Sequence, residues 1–142
     1  MFDIKDKNVL ITGATSGIGR SAAIKLSSLG ANIFFVARDK DKAQLLVDDI
    51  YKKSEKEAIP IIADLSSQSD IRKAAETFNS HNLPLHVLLN NAGLINKERK
   101  KTIDGYEEVF AINHLAYFLL TALLIDKLKE GNDSRIVNVS SG

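Results

Sequence analysis

The stretch Asn8-Val9-Leu10-Ile11-Thr12-Gly13-Ala14-Thr15-Ser16-Gly17-Ile18-Gly19 is a short apolar run that breaks into three glycines within seven residues. Helical periodicity follows over 17–29, and Gly30 suits the left-handed position behind a helix end. A strand that turns sharply into a helix opens a βαβ unit. Glycines at that turn let backbone N–H groups approach a pyrophosphate with no Cβ in the way, and the helix N-terminus adds partial positive charge. The glycines alone would also fit a tight turn that holds nothing. The strand before them and the helix after them favour a dinucleotide site.

Working outward, further β-rich apolar runs occupy 32–37, 59–63, 85–90 and 135–140. Between them the pattern changes period. Ala43, Leu46, Val47 and Ile50 repeat at helical spacing behind a capping Asp39. Ile71, Ala74, Ala75 and Phe78 do the same behind Ser67-x-x-Asp70. A fourth helical stretch, 105–130, is long, apolar and stopped by Gly131-Asn132. The strands are continuously apolar rather than alternating, as expected when helices cover both sheet faces. Strand–helix alternation with short links predicts right-handed crossovers and a parallel sheet. One α/β domain over 1–142 is expected.

Composition removes several function classes. With 142 residues and 44% hydrophobic content, the chain can bury a real core. A formal net charge of +1 gives no electrostatic ground for a nucleic-acid or anionic-membrane partner. The basic run Lys97-Glu98-Arg99-Lys100-Lys101 then reads as a solvated loop. There is no cysteine, which excludes disulfides, thiolate nucleophiles and Cys-ligated zinc. His81, His86 and His114 lack ligand spacing, so no metal site is expected. The first seven residues contain no apolar segment that would read as a signal or anchor. The longest apolar run, 115–125, interrupted by Thr121, falls short of the roughly 20 residues needed to span a bilayer. A cytoplasmic protein without a membrane span is the expectation.

The spacing Gly13-xxx-Gly17-x-Gly19 resembles that of the short-chain dehydrogenase/reductase family, and other elements of that family follow in order. Asp64-Leu65 closes the third strand, Asn90-Asn91-Ala92-Gly93 closes the fourth, Asn113 lies in the long helix, and Arg135 to Ser141 forms the fifth strand. The stretch from Asp104-Gly105-Tyr106 through Asn113-His114-Leu115 to Thr121 is most similar to the retinol-dehydrogenase-like branch. The resemblance implies a Rossmann-type doubly wound parallel sheet, with five of the usual seven strands present. It also implies an oxidoreductase that passes a hydride between a nicotinamide cofactor and a small apolar carbonyl or alcohol. Cofactor-binding roles would fall to Gly13, Thr15, Ser16, Gly17, Ile18, Gly19, Asp64, Leu65, Asn90, Ala92 and Gly93, with Asp64 at the adenine. Asp64 also fits a helix cap, and Asn90 and Asn91 fit backbone satisfaction at a strand end.

At the end of the second strand, Ala37 stands where an acid would hold the ribose hydroxyls, and Arg38 follows. Loss of the acid and gain of a base favour NADP(H) over NAD(H). The other reading makes Arg38 a solvated charge beside Asp39. For catalysis the resemblance implies Asn113, holding a water in a proton relay, and Ser141, orienting the substrate oxygen, with Ser140 as the alternative. The family's Tyr-xxx-Lys pair has no counterpart. Tyr51, Tyr106 and Tyr117 are followed four residues on by Glu55, Phe110 and Thr121. These residues resemble about the first half of a family member, and the chain alone is expected not to turn over. A non-catalytic NADP(H)-binding or interaction module is the competing expectation. A homo-oligomer built in part on the long helix fits either.

Overall fold

The structure, a computed structural model, describes residues 1–141; the last residue of the expected domain, Gly142, lies outside the described residues. Five strands form one sheet: β1 (Asn8–Thr12), β2 (Asn32–Ala37), β3 (Ile59–Ile62), β4 (Val87–Asn90) and β5 (Arg135–Asn138). Their order is β3-β2-β1-β4-β5 and every pairing is parallel. The chain winds outward from β1 to β3, then crosses back to build β4 and β5 on the other side. That reversal makes the C-terminal ends of β1 and β4 the topological switch point.

The pleat sorts the strand side chains into two cores. Leu10, Phe34, Val36 and Leu88 point to the face covered by α3 (Gln68–Asn79) and α5 (Ala116–Glu130). Val9, Ile11, Ile33, Phe35 and Leu89 point to the other, beneath α1 (Gly17–Ser28) and α2 (Lys40–Ser54). The central strands β1 and β4 are buried throughout, which accounts for their unbroken apolar sequence. The edges differ. All four residues of β5 are exposed, with Ile136 and Val137 among them, so this edge of the sheet is apolar.

Four boundaries move from the expected ones. β4 starts at Val87 because the Leu85 amide donates to the Lys127 carbonyl of α5 rather than to a strand. β3 and β5 stop at Ile62 and Asn138, although Ala63 and Val139 each add one more backbone bond to the neighbouring strand. The long helix begins at Glu108, where α4 (Glu108–Phe110) is capped by Glu107, whose carboxylate accepts from the Val109 and Phe110 amides. It then passes through a π-helical turn, Ala111–Leu115, before α5.

Together these segments form a helix of 23 residues, Glu108–Glu130, long and apolar enough by length and composition to cross a membrane. The eleven-residue run considered in the sequence understated it. One face is committed to the sheet, however: Ala116, Leu120, Leu124 and Leu128 are buried at successive turns. Phe118 and Ile125 on the outer side are exposed.

One titratable group is tied into the sheet. His86 Nδ1 accepts the Asn8 amide at 2.8 Å, while the His86 amide donates to the Asn8 carbonyl at 2.9 Å. Burial, with the Lys7 charge nearby, holds its pKa below the usual 6.5. Protonation would remove the acceptor, so the fold binds this proton less readily than the unfolded chain does. Stability should be full above the ordinary histidine pKa and decline as pH falls through the lowered one. Urea midpoints between about pH 8 and about pH 5 should show that decline, and His86→Gln should flatten it. An unchanged midpoint in the wild-type chain would show that the imidazole does not need to be neutral.

Candidate functional site

Thr12, the last residue of β1, is 1% exposed and joins the two halves of the sheet at the switch point. Its Oγ1 accepts from the amides of both Asn91 and Ala92, each at 3.0 Å. Asn91 returns the contact: its side-chain amide donates to the carbonyls of Gly13 (3.1 Å) and Thr12 (3.3 Å). The two turns therefore lie against each other, and glycine is what permits it. A Cβ on Gly13 would stand 2.7 Å from the Ala92 Cα, and one on Gly19 would stand 2.2 Å from the Gly13 carbonyl oxygen. Gly17 is required for another reason, its φ of +56°.

The helix that leaves this turn differs from the others at its start. Asp39 caps α2, Ser67 caps α3 and Glu107 caps α4, and each of those helices has an acid in its first turn. Ser16 sits at the N-cap of α1 in extended conformation, makes no side-chain cap bond, and is followed by no acid. Two of the amides at that end are therefore left without the partner a cap supplies, and the helix dipole is not offset. Ser16, Gly17 and Ile18 are all exposed.

Beside this turn a hollow of about 270 Å³ is lined by Gly13, Thr15, Ala37, Arg38, Asp64, Leu65, Ala92 and Gly93, among others. Arg38 is exposed and makes no ion pair among the described residues. Asp39 does not hold it: that carboxylate accepts from the Asp41 and Lys42 amides, which push its pKa down. Asp64 is not a helix cap. One of its oxygens accepts from the Ser66 amide and hydroxyl, closing a turn, and the other has no protein partner among the described residues. Asn90 lies deeper than the site. It is fully buried and donates to Thr121 and Asn138, tying β4 to α5 and β5.

A second cleft, of about 650 Å³, continues from the first past Ala92 and Gly93 and brings Ile18, Asn113, Tyr117, Ser140 and Ser141 to one rim. The structure unites the two catalytic candidates there, but it changes what Asn113 can do. Its amide is already engaged on both sides, accepting from the Leu94 amide and donating to the Leu94 carbonyl, each at 3.0 Å. The π-turn around it carries an i+5 bond from the Ala116 amide to the Ala111 carbonyl. A change from i+5 to i+4 bonding leaves carbonyl capacity at the junction, a common feature of functional sites. The Asn113 side chain keeps a second N–H and a second oxygen lone pair beyond these bonds, so side chain and π-turn backbone both have capacity for a water.

Tyr117 and Thr12 were not singled out from the sequence. The Tyr117 hydroxyl donates to the Ala92 carbonyl at 2.7 Å, with the Val139 carbonyl at 3.3 Å, and burial raises its pKa above 10.0. It fastens the ends of β4 and β5 together. Their partners lie 22 and more positions away along the chain, so no local motif announces either residue.

Comparison with known proteins gives a consistent result. Residues 7–142 match the family model for short chain dehydrogenases. Human retinol dehydrogenase 11 is 43% identical over 136 residues, covering 95% of this chain and 43% of that protein. Human polyprenol dehydrogenase is 40% identical over 141 residues, covering 96% and 43%. The chain thus spans less than half the length of these relatives. Among solved structures, a metagenomic short-chain oxidoreductase in complex with NADP is similar with a TM-score of 0.87 at 28% identity, over 99% of this chain and 65% of that one.

The Thr12 stitch has a measurable worth. Thr12→Val keeps the shape but leaves two buried amides without an acceptor, which should cost about 2–4 kcal/mol. Thr12→Ser should retain most of the wild-type stability. Denaturant midpoints check both, and a Val variant as stable as wild type would mean that the amides find other partners.

Proposed function

Because the chain belongs to the short-chain dehydrogenase family, we propose that its crevice holds NADP(H) and serves hydride transfer to or from an apolar carbonyl or alcohol. The observation that carries this reading is the uncapped start of α1 next to a hollow lined by Gly13 and Thr15 of the glycine turn and by Arg38, which makes no ion pair among the described residues. The turn fits the group: an uncapped helix start with Ser16, Gly17 and Ile18 exposed, next to a hollow that Arg38 and Asp64 help line.

In this reading the amides from Ser16 to Gly19 receive the pyrophosphate, with Thr15 beside them. Arg38 pairs the 2′-phosphate, for which a guanidinium offers a bidentate fork. The open oxygen of Asp64 and the Leu65 backbone border the adenine. Asn90, through its bonds to Thr121 and Asn138, keeps the floor at Ala92 and Gly93 in place. When bound, the nicotinamide supplies or accepts the hydride. Ser141, with Ser140 as the alternative, donates its hydroxyl to the substrate oxygen and polarises it. The Asn113 amide holds Leu94 at the cleft's rim, and the π-turn backbone keeps a relay water.

Tyr117 does not act as the acid, since its hydroxyl is committed to the Ala92 carbonyl. None of the three tyrosines is followed by a lysine four residues on. Without a positioned proton donor, a rate factor of about 10²–10⁴ is lost. We therefore expect these 142 residues to bind the cofactor without turning substrate over. The names of the retinol and polyprenol dehydrogenases among the relatives support an apolar substrate.

Calorimetric titration should find NADPH bound more tightly than NADH. Arg38→Asp should weaken NADPH by about ten- to hundredfold, the range of a lost charge-assisted contact, and reverse the preference. Equal affinities in the wild type would sink the phosphate assignment. Steady NADPH oxidation with any carbonyl by the 142-residue chain would sink the expected lack of turnover.

A further inference from the structure

The loop 94–107, between β4 and α4, carries features that cofactor binding leaves unused. Ile95 is 94% exposed and Ile103 87%, and Tyr106 and Phe110 beside them are also open to solvent. Lys97, Arg99, Lys100 and Lys101 are exposed in the same loop, and none forms an ion pair among the described residues. The excess is confined to 97–101, where four cations stand against one acid, Glu98; Asp104, which accepts the Gln68 amide, and Glu107, which caps α4, keep their charges at the far end of the loop. The net charge of the whole chain, +1, conceals this local excess.

Nor is the loop slack. Asn113 grips Leu94, the Asn96 side chain donates to Glu108, and the Glu108 amide donates to the Lys100 carbonyl. A small hairpin closes with the Thr102 amide on the Tyr106 carbonyl at 2.7 Å, and Ile103 sits in its turn. Fixed backbone thus holds large aliphatic side chains out into water, against the usual preference for burial.

We propose that this loop is a peripheral membrane contact, with Ile95 and Ile103 entering the headgroup–acyl boundary and the four cations lying against anionic lipid. Apolar side chains ringed by Lys and Arg are the chemistry of such a surface. Nucleic acid fits less well: it would use the cations, but phosphates give exposed isoleucines nothing, and base stacking calls for aromatic platforms. Leu94 and Ile95 also line the 650 Å³ cleft, so docking turns its rim toward the lipid. The proposal does not rest on catalysis.

Sedimentation with phosphatidylcholine vesicles, with and without phosphatidylserine, tests it directly. The 142-residue chain should bind only the vesicles that contain phosphatidylserine, and less so in high salt. Lys100→Gln and Lys101→Gln should each lower partitioning roughly fivefold. Ile95→Glu with Ile103→Glu should abolish it, whereas Phe118→Glu, on the outer face of α5, should not. Circular dichroism checks folding, and Ile103→Ser alone, at a solvated turn, keeps the test open if the double variant misfolds. Absence of vesicle binding, equal binding to phosphatidylcholine alone, or binding indifferent to the isoleucines overturns the proposal. So does binding to duplex DNA by a chain that ignores vesicles.

Discussion

The arrangement depends on one hydroxyl. Thr12 accepts two successive amides from the turn after β4, and so joins strands that are neighbours in space but about 80 residues apart in the chain. The constraint is steric as well as polar. The turn after β1 must approach Ala92 so closely that only glycine fits at Gly13, and α1 must pass so close to Gly13 that only glycine fits at Gly19. Once these contacts form, the crevice at the switch point has its shape before any ligand arrives. Sheet topology puts the crevice there; the threonine and the glycines fix its width.

The rest of the site is held by polar side chains. Tyr117 reaches from α5 to Ala92 and Val139, Asn113 clasps Leu94, and Asn90 reaches Thr121 and Asn138. The first two run from the long helix to segments that border a cleft, and the third ties β4 to α5 and β5. The π-turn belongs to this scheme, since the extra residue it absorbs lies where Asn113 meets the Leu94 backbone. A residue whose type suggests a catalytic role can thus also position the backbone beside it.

The fold was legible because its signals are local. Apolar runs, helical periods, the caps at Asp39 and Ser67 and the three-glycine turn each lie within a few residues, and each corresponds to an observed element. What could not be read involves partners far along the chain. Thr12 looks like one more β-former, and Tyr117 like one more residue of an apolar helix. The start of the long helix was misplaced because Gly105 and its neighbours form a hairpin rather than a first turn, and Glu107 caps the helix from within the sequence expected to be helical.

The start of α1 shows how the fold leaves stability in reserve for a ligand. A side-chain cap contributes about 1 kcal/mol, and a first-turn acid adds a few tenths. The other sheet-covering helices have both at or near their starts, but α1, at the switch point, has neither. Ser16 is a residue type that caps well, yet its hydroxyl makes no cap bond. Its extended backbone and the left-handed Gly17 turn the exposed amides toward the crevice instead. An anion bound there supplies the missing partners, and stability then rises with ligand concentration as RT ln(1 + [L]/Kd). The glycine turn therefore leaves open the stabilising contacts that the other helices close for themselves, and a bound pyrophosphate would complete them.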